Sequence, residues 1–315
     1  MPSMRPQADA APVFDRHGRI KAGTVVTADF DASLVDYRDT LGLTVVEAGA
    51  VPSDLAASWG APAAGGARMA LLAPVSGNGC FLRLVEGAPV PGYRPARSFG
   101  WAAFEITVAD VFALHARLAD SGFTVIGPPK KVAGFNNFIP MQVVGRGGEI
   151  LYLNQVLEDM ADLDLPLAAA PVDVIFIAVQ AASDRAATLA FQRQALGLEE
   201  GGTFAIPYGV INNAFGLPAD HRSTLTMTKV GRLPVAEIDQ YPPDATARPR
   251  PAGGLPPGNA VISLGVDRLD RVAAPLLAPA TVHPGPLYAG RRSACVAGPD
   301  GEIYELIEMG EVGNA

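Results

Sequence analysis

Short apolar runs separated by Gly and Pro turns recur along this chain in one order. An apolar run at 23–27 comes first, and an amphipathic stretch at 31–41 follows it and stops at a glycine. Three further runs begin near residues 44, 68 and 80. Runs of this length between turn residues predict strands, and an amphipathic stretch that stops at Gly predicts a helix. The pattern predicts a unit of one strand, one helix and three strands.

The same unit is predicted four times. The other three copies have first strands at 101–106, 174–179 and 260–266, and helices at 109–121, 185–196 and 269–277. Residues 41–43 (LGL) recur at 196–198, and residues 144–150 (VGRGGEI) correspond to 297–303 (AGPDGEI). The order of these matches predicts an internal duplication, with two units in each half of the chain.

The predicted halves span residues 19–156 and 172–309. The linker between them, 157–171, is acidic at first and then rich in Ala and Pro. Residues 1–18 are predicted to be a disordered tail. Because a single unit cannot bury the face of its own sheet, we expect units 1 and 2 to close one half-open barrel and units 3 and 4 another. This is an α+β fold, and a cavity in a curved sheet suits a small molecule.

The amino-acid composition excludes some kinds of binding partner. The formal net charge is −8 and 49% of the residues are hydrophobic, which predicts a globular protein that binds neither nucleic acid nor an anionic membrane. No secretory signal pattern and no apolar run of membrane-spanning length occur, so we expect a cytoplasmic protein. Cys80 and Cys295 are expected to be reduced core thiols. A homodimer is one oligomeric state open to the chain.

Two segments carry a resemblance to a known family. Residues 31–43 (DASLVDYRDTLGL) resemble the first helix of the vicinal oxygen chelate superfamily, and residues 298–308 (GPDGEIYELIE) resemble its last strand. That superfamily includes glyoxalase I, bleomycin-resistance proteins and extradiol dioxygenases. The four-unit length is most similar to that of the two-domain dioxygenases. The resemblance implies four βαβββ modules paired into two half-open barrels, with a divalent metal held inside a barrel by His and Glu side chains.

This sequence departs from the family at those ligand positions. In the first half they fall on Ala22, Arg83, Trp101 and Tyr152, and in the second half on Val174, Glu237, Val261 and Glu305. No histidine remains among them. We therefore expect no cofactor, and at most a weak divalent site for Mn, Fe, Mg or Zn on Glu237 and Glu305.

Strand registers place Arg83, Trp101, Glu105 and Tyr152 inside the first predicted barrel. One interpretation is an inert barrel held by an Arg83–Glu105 ion pair. The other is an aromatic-lined pocket in which Arg83 binds an anionic substrate group. Both remain open at this point.

The second predicted barrel holds the candidate catalytic groups. Glu237 and Glu305 are expected to face each other, and their repulsion would raise the pKa of at least one carboxyl and suit it to acid/base catalysis. His283, at the predicted mouth, would assist. Alternatively, one of the glutamates pairs with Arg291 or Arg292.

Substrate contacts are predicted for the same barrel. The segment 206–216 is interpreted as a strand and loop that line the pocket. The residues expected to bind substrate are Tyr208, Asn212 and Arg291, together with Arg83, Trp101 and Tyr152 of the first barrel. A slip of one residue in any strand would move these side chains to the opposite face.

Two classes of function follow. The first is an enzyme of lyase or isomerase type that acts by acid/base chemistry on a small oxygenated metabolite, which could carry an aromatic ring. A metal-dependent dioxygenase or glyoxalase using Glu237 and Glu305 is a variant of it. The second is a protein that binds or sequesters a small molecule without altering it. In each case the predicted partner is a small molecule.

Overall fold

A computed structural model describes residues 17–131 and 136–310. Apart from its last two residues, the predicted tail 1–18 lies outside the described residues. Within the described ranges, no helix is long and apolar enough to cross a membrane. Both cysteines are buried and free, as expected.

Four βαβββ units follow one another. Unit 1 comprises β1 (Ile20–Thr27), α1 (Phe30–Val35) with a π-helical turn (Asp36–Thr40), β2 (Thr44–Ala50), α2 (Ser53–Ser58), a 3₁₀ turn (Pro62–Ala64), β3 (Arg68–Ala73) and β4 (Phe81–Glu86). Unit 2 comprises β5 (Gly100–Val108), α3 (Val111–Arg117) with a 3₁₀ turn (Leu118–Asp120), β6 (Thr124–Gly127), β7 (Phe138–Val144) and β8 (Ile150–Val156).

The second half repeats this order. Unit 3 comprises β9 (Val172–Ala182), α4 (Arg185–Leu196), β10 (Glu199–Pro207), α5 (Gly209–Phe215), β11 (Arg222–Val230) and β12 (Leu233–Gln240). Unit 4 comprises β13 (Gly258–Val266), a 3₁₀ turn (Leu269–Arg271), β14 (Thr281–Val282), β15 (Arg292–Ala297) and β16 (Ile303–Glu308).

Helix boundaries follow local chemistry. The Asp184 carboxylate accepts the backbone N–H of Ala187 at the start of α4, and Gly197 ends that helix in the left-handed region with φ 66°. A short polar cap and a left-handed glycine are the usual start and stop signals. The predicted helix at 185–196 is therefore confirmed.

Two predicted elements differ from the structure. The helix expected at 269–277 is only a 3₁₀ turn, since Pro275 lacks the N–H that a continuing helix needs and its ring would clash with the preceding turn. The segment 206–216, expected to be a strand and loop, contains α5. Val210 and Ile211 are buried on this helix, and Gly216 ends it at φ 64°.

The strands form two eight-stranded mixed sheets. Their orders are β14-β15-β16-β13-β1-β4-β3-β2 and β10-β11-β12-β9-β5-β8-β7-β6. Unit 1 therefore shares a sheet with unit 4, and unit 2 with unit 3. The central contacts are antiparallel, β1 with β13 and β5 with β9. We call the two assemblies the 1/4 barrel and the 2/3 barrel.

The four modules and two barrels expected from the sequence are confirmed, but the expected pairing of consecutive units is wrong. Each sequence half contributes one unit to each barrel. Each barrel encloses its own apolar core, and a third core lies between the sheets and the helices and contains Tyr37, Phe104 and Tyr304. This arrangement changes which candidate residues can meet.

Candidate functional site

The interior of the 1/4 barrel is filled by a buried ion pair. Arg83 on β4 lies 2.9 Å from a carboxylate oxygen of Glu305 on β16, and both side chains are at most 1% exposed. Arg83 also donates to Thr24 and Tyr288 and stacks 4.6 Å above the Trp59 ring. The guanidinium is therefore hydrogen-bonded on all three of its nitrogens.

Glu305 is equally well satisfied. Oε1 accepts from Trp59 Nε1 (2.9 Å) and the Tyr288 hydroxyl (2.8 Å), and Oε2 accepts from Arg83 and the Ser263 hydroxyl. Burial alone would raise the pKa of Glu305, but the Arg83 charge and the donated hydrogen bonds outweigh it and hold the pKa below its usual value. A charged carboxylate with both oxygens occupied is a structural anion and is poorly suited to act as a base.

His283 lies beside this cluster. It is 3% exposed, its Nε2 is 2.8 Å from the Thr281 hydroxyl, and its ring centroid is 5.1 Å from that of Tyr288. The space next to it is a cavity of about 50 Å³ that also contacts Arg83 and Leu287. This barrel leaves little room for a ligand.

The 2/3 barrel, by contrast, contains a partly open cavity of about 120 Å³. Most of its wall is apolar or aromatic, formed by Phe138, Pro140, Met160, Leu163, Leu165, Phe176, Ile177, Phe204, Ile206, Leu225 and Met227. Leu163 and Leu165 belong to the linker 157–171, which contacts the cavity and is held by an ion pair between Arg232 and Asp164 (2.7 Å). An enclosed apolar space with a few polar groups is the usual form of a small-molecule site.

The polar end of the cavity is built from both units. Tyr208, at the start of α5, donates its hydroxyl to Glu237 Oε1 on β12 (2.8 Å), and the Tyr152 hydroxyl on β8 lies 3.0 Å from that of Tyr208. Glu105 on β5 accepts a hydrogen bond from the Asn154 amide on β8. Four of these side chains are buried: Tyr208, Tyr152, Glu105 and Asn154. Glu237 is half-buried because its carboxyl opens into the cavity.

Several carboxyl groups lie at this polar end of the cavity, and the described lining residues include no Lys, Arg or His. Burial raises the pKa of Glu105 well above its usual value, and the charge of Glu237 raises it further. Burial also raises the pKa of Glu237, which a hydrogen bond from Tyr208 partly offsets. Asp239, two residues along β12, has a pKa raised well above normal by burial and by Glu237. These groups therefore hold protons that exposed carboxyls would lose.

Several predicted contacts are corrected by the barrel pairing. Glu237 and Glu305 lie in different barrels, so the expectation that they face each other is wrong, and with it their joint metal site. The expected Arg83–Glu105 pair is also wrong, because Arg83 pairs with Glu305 and Glu105 lies with Glu237. The alternative that one of these two glutamates pairs with Arg292 fails too, since Arg292 contacts Glu308 (3.3 Å), Glu305 pairs with Arg83 and Glu237 accepts from Tyr208.

Other predicted site residues lie away from the cavity. Trp101 donates its indole N–H to the Ile303 carbonyl (2.9 Å) and packs edge-on against Tyr304. Asn212 faces into the protein and donates to the carbonyls of Ala219 and His221. Arg291 borders an open surface depression. His283 lies in the 1/4 barrel, so it cannot assist Glu237. Tyr208, Tyr152 and Glu237 do line one cavity.

The sequence interpretation missed Asn154, Asp239 and Phe176. Alternation along β12 could have indicated Asp239, which shares a face with Glu237. On β9 Phe176 and Ile177 line the cavity, and Val174 packs in the core between the sheets. The position assigned to Val174 in the sequence analysis was therefore wrong. Only the three-dimensional pairing of the strands shows which side chains face the cavity.

The residues present do not fit the metal that the fold family implies. At the corresponding strands the 2/3 barrel offers Glu105, Tyr152, Phe176 and Glu237, and the 1/4 barrel offers Ala22, Arg83, Val261 and Glu305. Among the described residues, no group of three or more His, Cys, Asp or Glu side chains is arranged to hold a metal ion.

Comparisons with known proteins agree with this architecture. Residues 19–139 match the family model described as the Glyoxalase/Bleomycin resistance protein/Dioxygenase superfamily. A search of curated protein sequences gave no match. A point mutant of glyoxalase I from Zea mays shares 17% identity, covers 92% of each chain and superposes with a TM-score of 0.61.

Two further solved structures extend the comparison. Unmutated Zea mays glyoxalase I shares 16% identity over 92% of each chain, with a TM-score of 0.59. A suggested dioxygenase from Bacillus subtilis shares 11% identity over 92% of this chain and 84% of its own, with a TM-score of 0.60. At these identities the likeness shows the fold. The family resemblance predicted from the sequence is confirmed for residues 19–139, which match the family model, and the whole chain has the fold of these solved structures.

Proposed function

We propose that the protein binds a small, largely apolar molecule in the cavity of the 2/3 barrel, with the Glu237 carboxyl as the group that recognises it. The observation that carries this proposal is the contrast between the barrels. The 1/4 barrel is filled by Arg83 and Glu305, whereas the 2/3 barrel keeps a cavity of about 120 Å³ with apolar walls and one polar end. Burial of a ligand there would supply hydrophobic stabilisation.

The test is a thermal-shift screen of single-ring aromatic and alicyclic compounds against the full chain. A compound bound only by the folded protein raises the Tm in a concentration-dependent way. We expect Ile206→Trp, on the edge strand β10 beside the cavity, to remove that shift by filling the space. Val46→Trp is the matched control, because Val46 lies on β2 of the other barrel and is exposed. Shifts that persist in Ile206→Trp would contradict the proposal.

Catalysis by proton transfer is the second candidate. The raised pKa of Glu237 and its hydrogen bond from Tyr208 favour it, because a desolvated carboxyl with a raised pKa is a more effective general acid or base than an exposed one. The substrate class would be small carbonyl compounds with acidic C–H bonds. In D₂O, such compounds should gain deuterium in the presence of the protein and not in the presence of Glu237→Gln. If every compound that binds in the cavity is recovered without deuterium, the function is binding without catalysis of proton transfer.

A further inference from the structure

A buried hydrogen-bond acceptor at the cavity of the 2/3 barrel has no partner among the described residues. Asn154 lines the cavity, is 1% exposed and gives its amide N–H to Glu105, so its Oδ1 is left without a partner in the described parts of the chain. Asp239, also 1% exposed and two residues from Glu237 along β12, adds a third carboxyl to this cluster. Unsatisfied buried acceptors cost free energy, and a ligand that donates hydrogen bonds would reduce this cost.

The same end of the cavity lacks a positive charge. Glu237 lies close enough to Glu105 for its charge to raise the pKa of the Glu105 carboxyl, and no Lys, Arg or His is found among the described lining residues. This differs from the 1/4 barrel, where Arg83 neutralises Glu305. A carboxyl cluster in an apolar site keeps protons when it is empty, and a bound cation would take their place.

The aromatic and apolar walls of the cavity suit the uncharged part of a cationic ligand. Tyr152 and Tyr208 lie with ring centroids 6.4 Å apart, and three phenylalanines complete the aromatic lining. Aromatic faces attract an ammonium group and accept an apolar body. The cavity of about 120 Å³ is similar in size to engineered cavities of about 150 Å³ that hold one benzene molecule.

We propose that the ligand is a primary or secondary amine in its ammonium form, carried on a body of about one aromatic ring. Its N–H groups donate to Glu237, Glu105 and Asn154, while its ring contacts the apolar wall. This inference rests on the proposed function, since it names the ligand class of the same cavity. Binding of the cation displaces a proton from the carboxyl cluster.

The experiment is isothermal titration calorimetry on the full chain with benzylamine and with benzyl alcohol, a neutral compound of the same shape. We expect benzylamine to bind at least about tenfold more tightly, with proton release seen as a heat that depends on the buffer. Glu237→Gln should weaken benzylamine at least about tenfold and abolish its preference over benzyl alcohol. Glu200→Gln, an exposed carboxylate paired with Arg193, is the control and should change neither.

The outcomes separate the two proposals. Equal binding of both compounds, lost in Ile206→Trp, would overturn the amine proposal and keep the cavity as the binding site. Benzylamine binding that is unaffected by Glu237→Gln would also overturn it. Failure of both compounds to bind would overturn the amine proposal and count against the cavity as a site for single-ring molecules.

Discussion

At the scale of single residues, two glutamates in corresponding barrels have opposite electrostatic surroundings. Glu305 faces Arg83 and three further donors, and its pKa is lowered, whereas burial raises the pKa of Glu237, which has no such cation among the described residues that line its cavity. The sequence alone could not separate them, because both follow apolar residues in a predicted strand. Which of them has an arginine partner depends on which units share a barrel.

Removing the charge of Glu305 should therefore be a stability change. We expect Glu305→Gln to lower the free energy of unfolding by about 3 to 5 kcal/mol, because it leaves the buried Arg83 without its counter-charge. Urea unfolding followed by circular dichroism measures this. Asp39→Asn, which breaks an exposed pair with Arg38, is the control and should have little effect. A Glu305→Gln protein as stable as the wild type would show that the pair is not structural.

Glu149 and Glu302, at corresponding turns of the two halves, should make stability depend on pH. Burial raises the pKa of each to about 7 from an ordinary value of 4.5. The folded state therefore binds these protons more tightly than the unfolded state. The stabilisation is complete below pH 4.5 and is lost as the pH rises to about 7.

We expect the double variant Glu149→Gln/Glu302→Gln to show a weaker fall of unfolding free energy between about pH 4.5 and pH 7.5. Over this pH range, the wild type should lose about 3 kcal/mol more unfolding free energy per group than the double variant. Urea titrations at several pH values measure it, with Glu200→Gln as an exposed control. Parallel pH profiles for the wild type and the double variant would contradict the assignment.

At the scale of elements, local sequence signals account for most boundaries. Asp110 and Asp184 begin α3 and α4 as capping residues, and the strand predicted at 101–106 lies within β5. The errors come from prolines and from short helices. Pro275 stops the helix predicted at 269–277, and the seven residues of α5 are too few for a clear helical period.

The helix α5 offers a test of its own, because it begins with Gly209 and is followed by Gly216. Neither glycine has another atom within 4 Å of an added Cβ, but only Gly216 has a positive φ, 64°. Gly216→Ala should lower the unfolding free energy by about 1 kcal/mol because it strains the backbone. Gly209→Ala, as the matched substitution, should be neutral or stabilising. Chemical denaturation compares them, and equal effects would contradict the backbone argument.

At the scale of the whole molecule, the unit count could be predicted but the pairing of units could not. The strands β1, β5, β9 and β13 are buried along their full length, so each one meets the requirements of a central strand. Any two of them could form the centre of a barrel. The sequence thus contains four similar units. Which of them share a barrel is decided by the three-dimensional packing of units from the two halves of the chain.

This pairing predicts how the chain behaves when it is divided. Residues 19–156 contain one half of each barrel, and the antiparallel partners of β1 and β5 lie in the other half of the chain. We expect this fragment not to form a stable monomer, because two central strands would be left unpaired along an apolar surface. It should self-associate or remain unfolded, and residues 157–315 should behave in the same way.

Co-expression of the two fragments should instead give a 1:1 complex with the near-UV circular dichroism of the intact chain. Light scattering after size-exclusion chromatography measures the masses. A fragment 19–156 that is monomeric and unfolds cooperatively would mean that consecutive units can close a barrel by themselves. In that case the cavity between Glu105 and Glu237, which come from different halves of the chain, would not be a fixed feature of the protein.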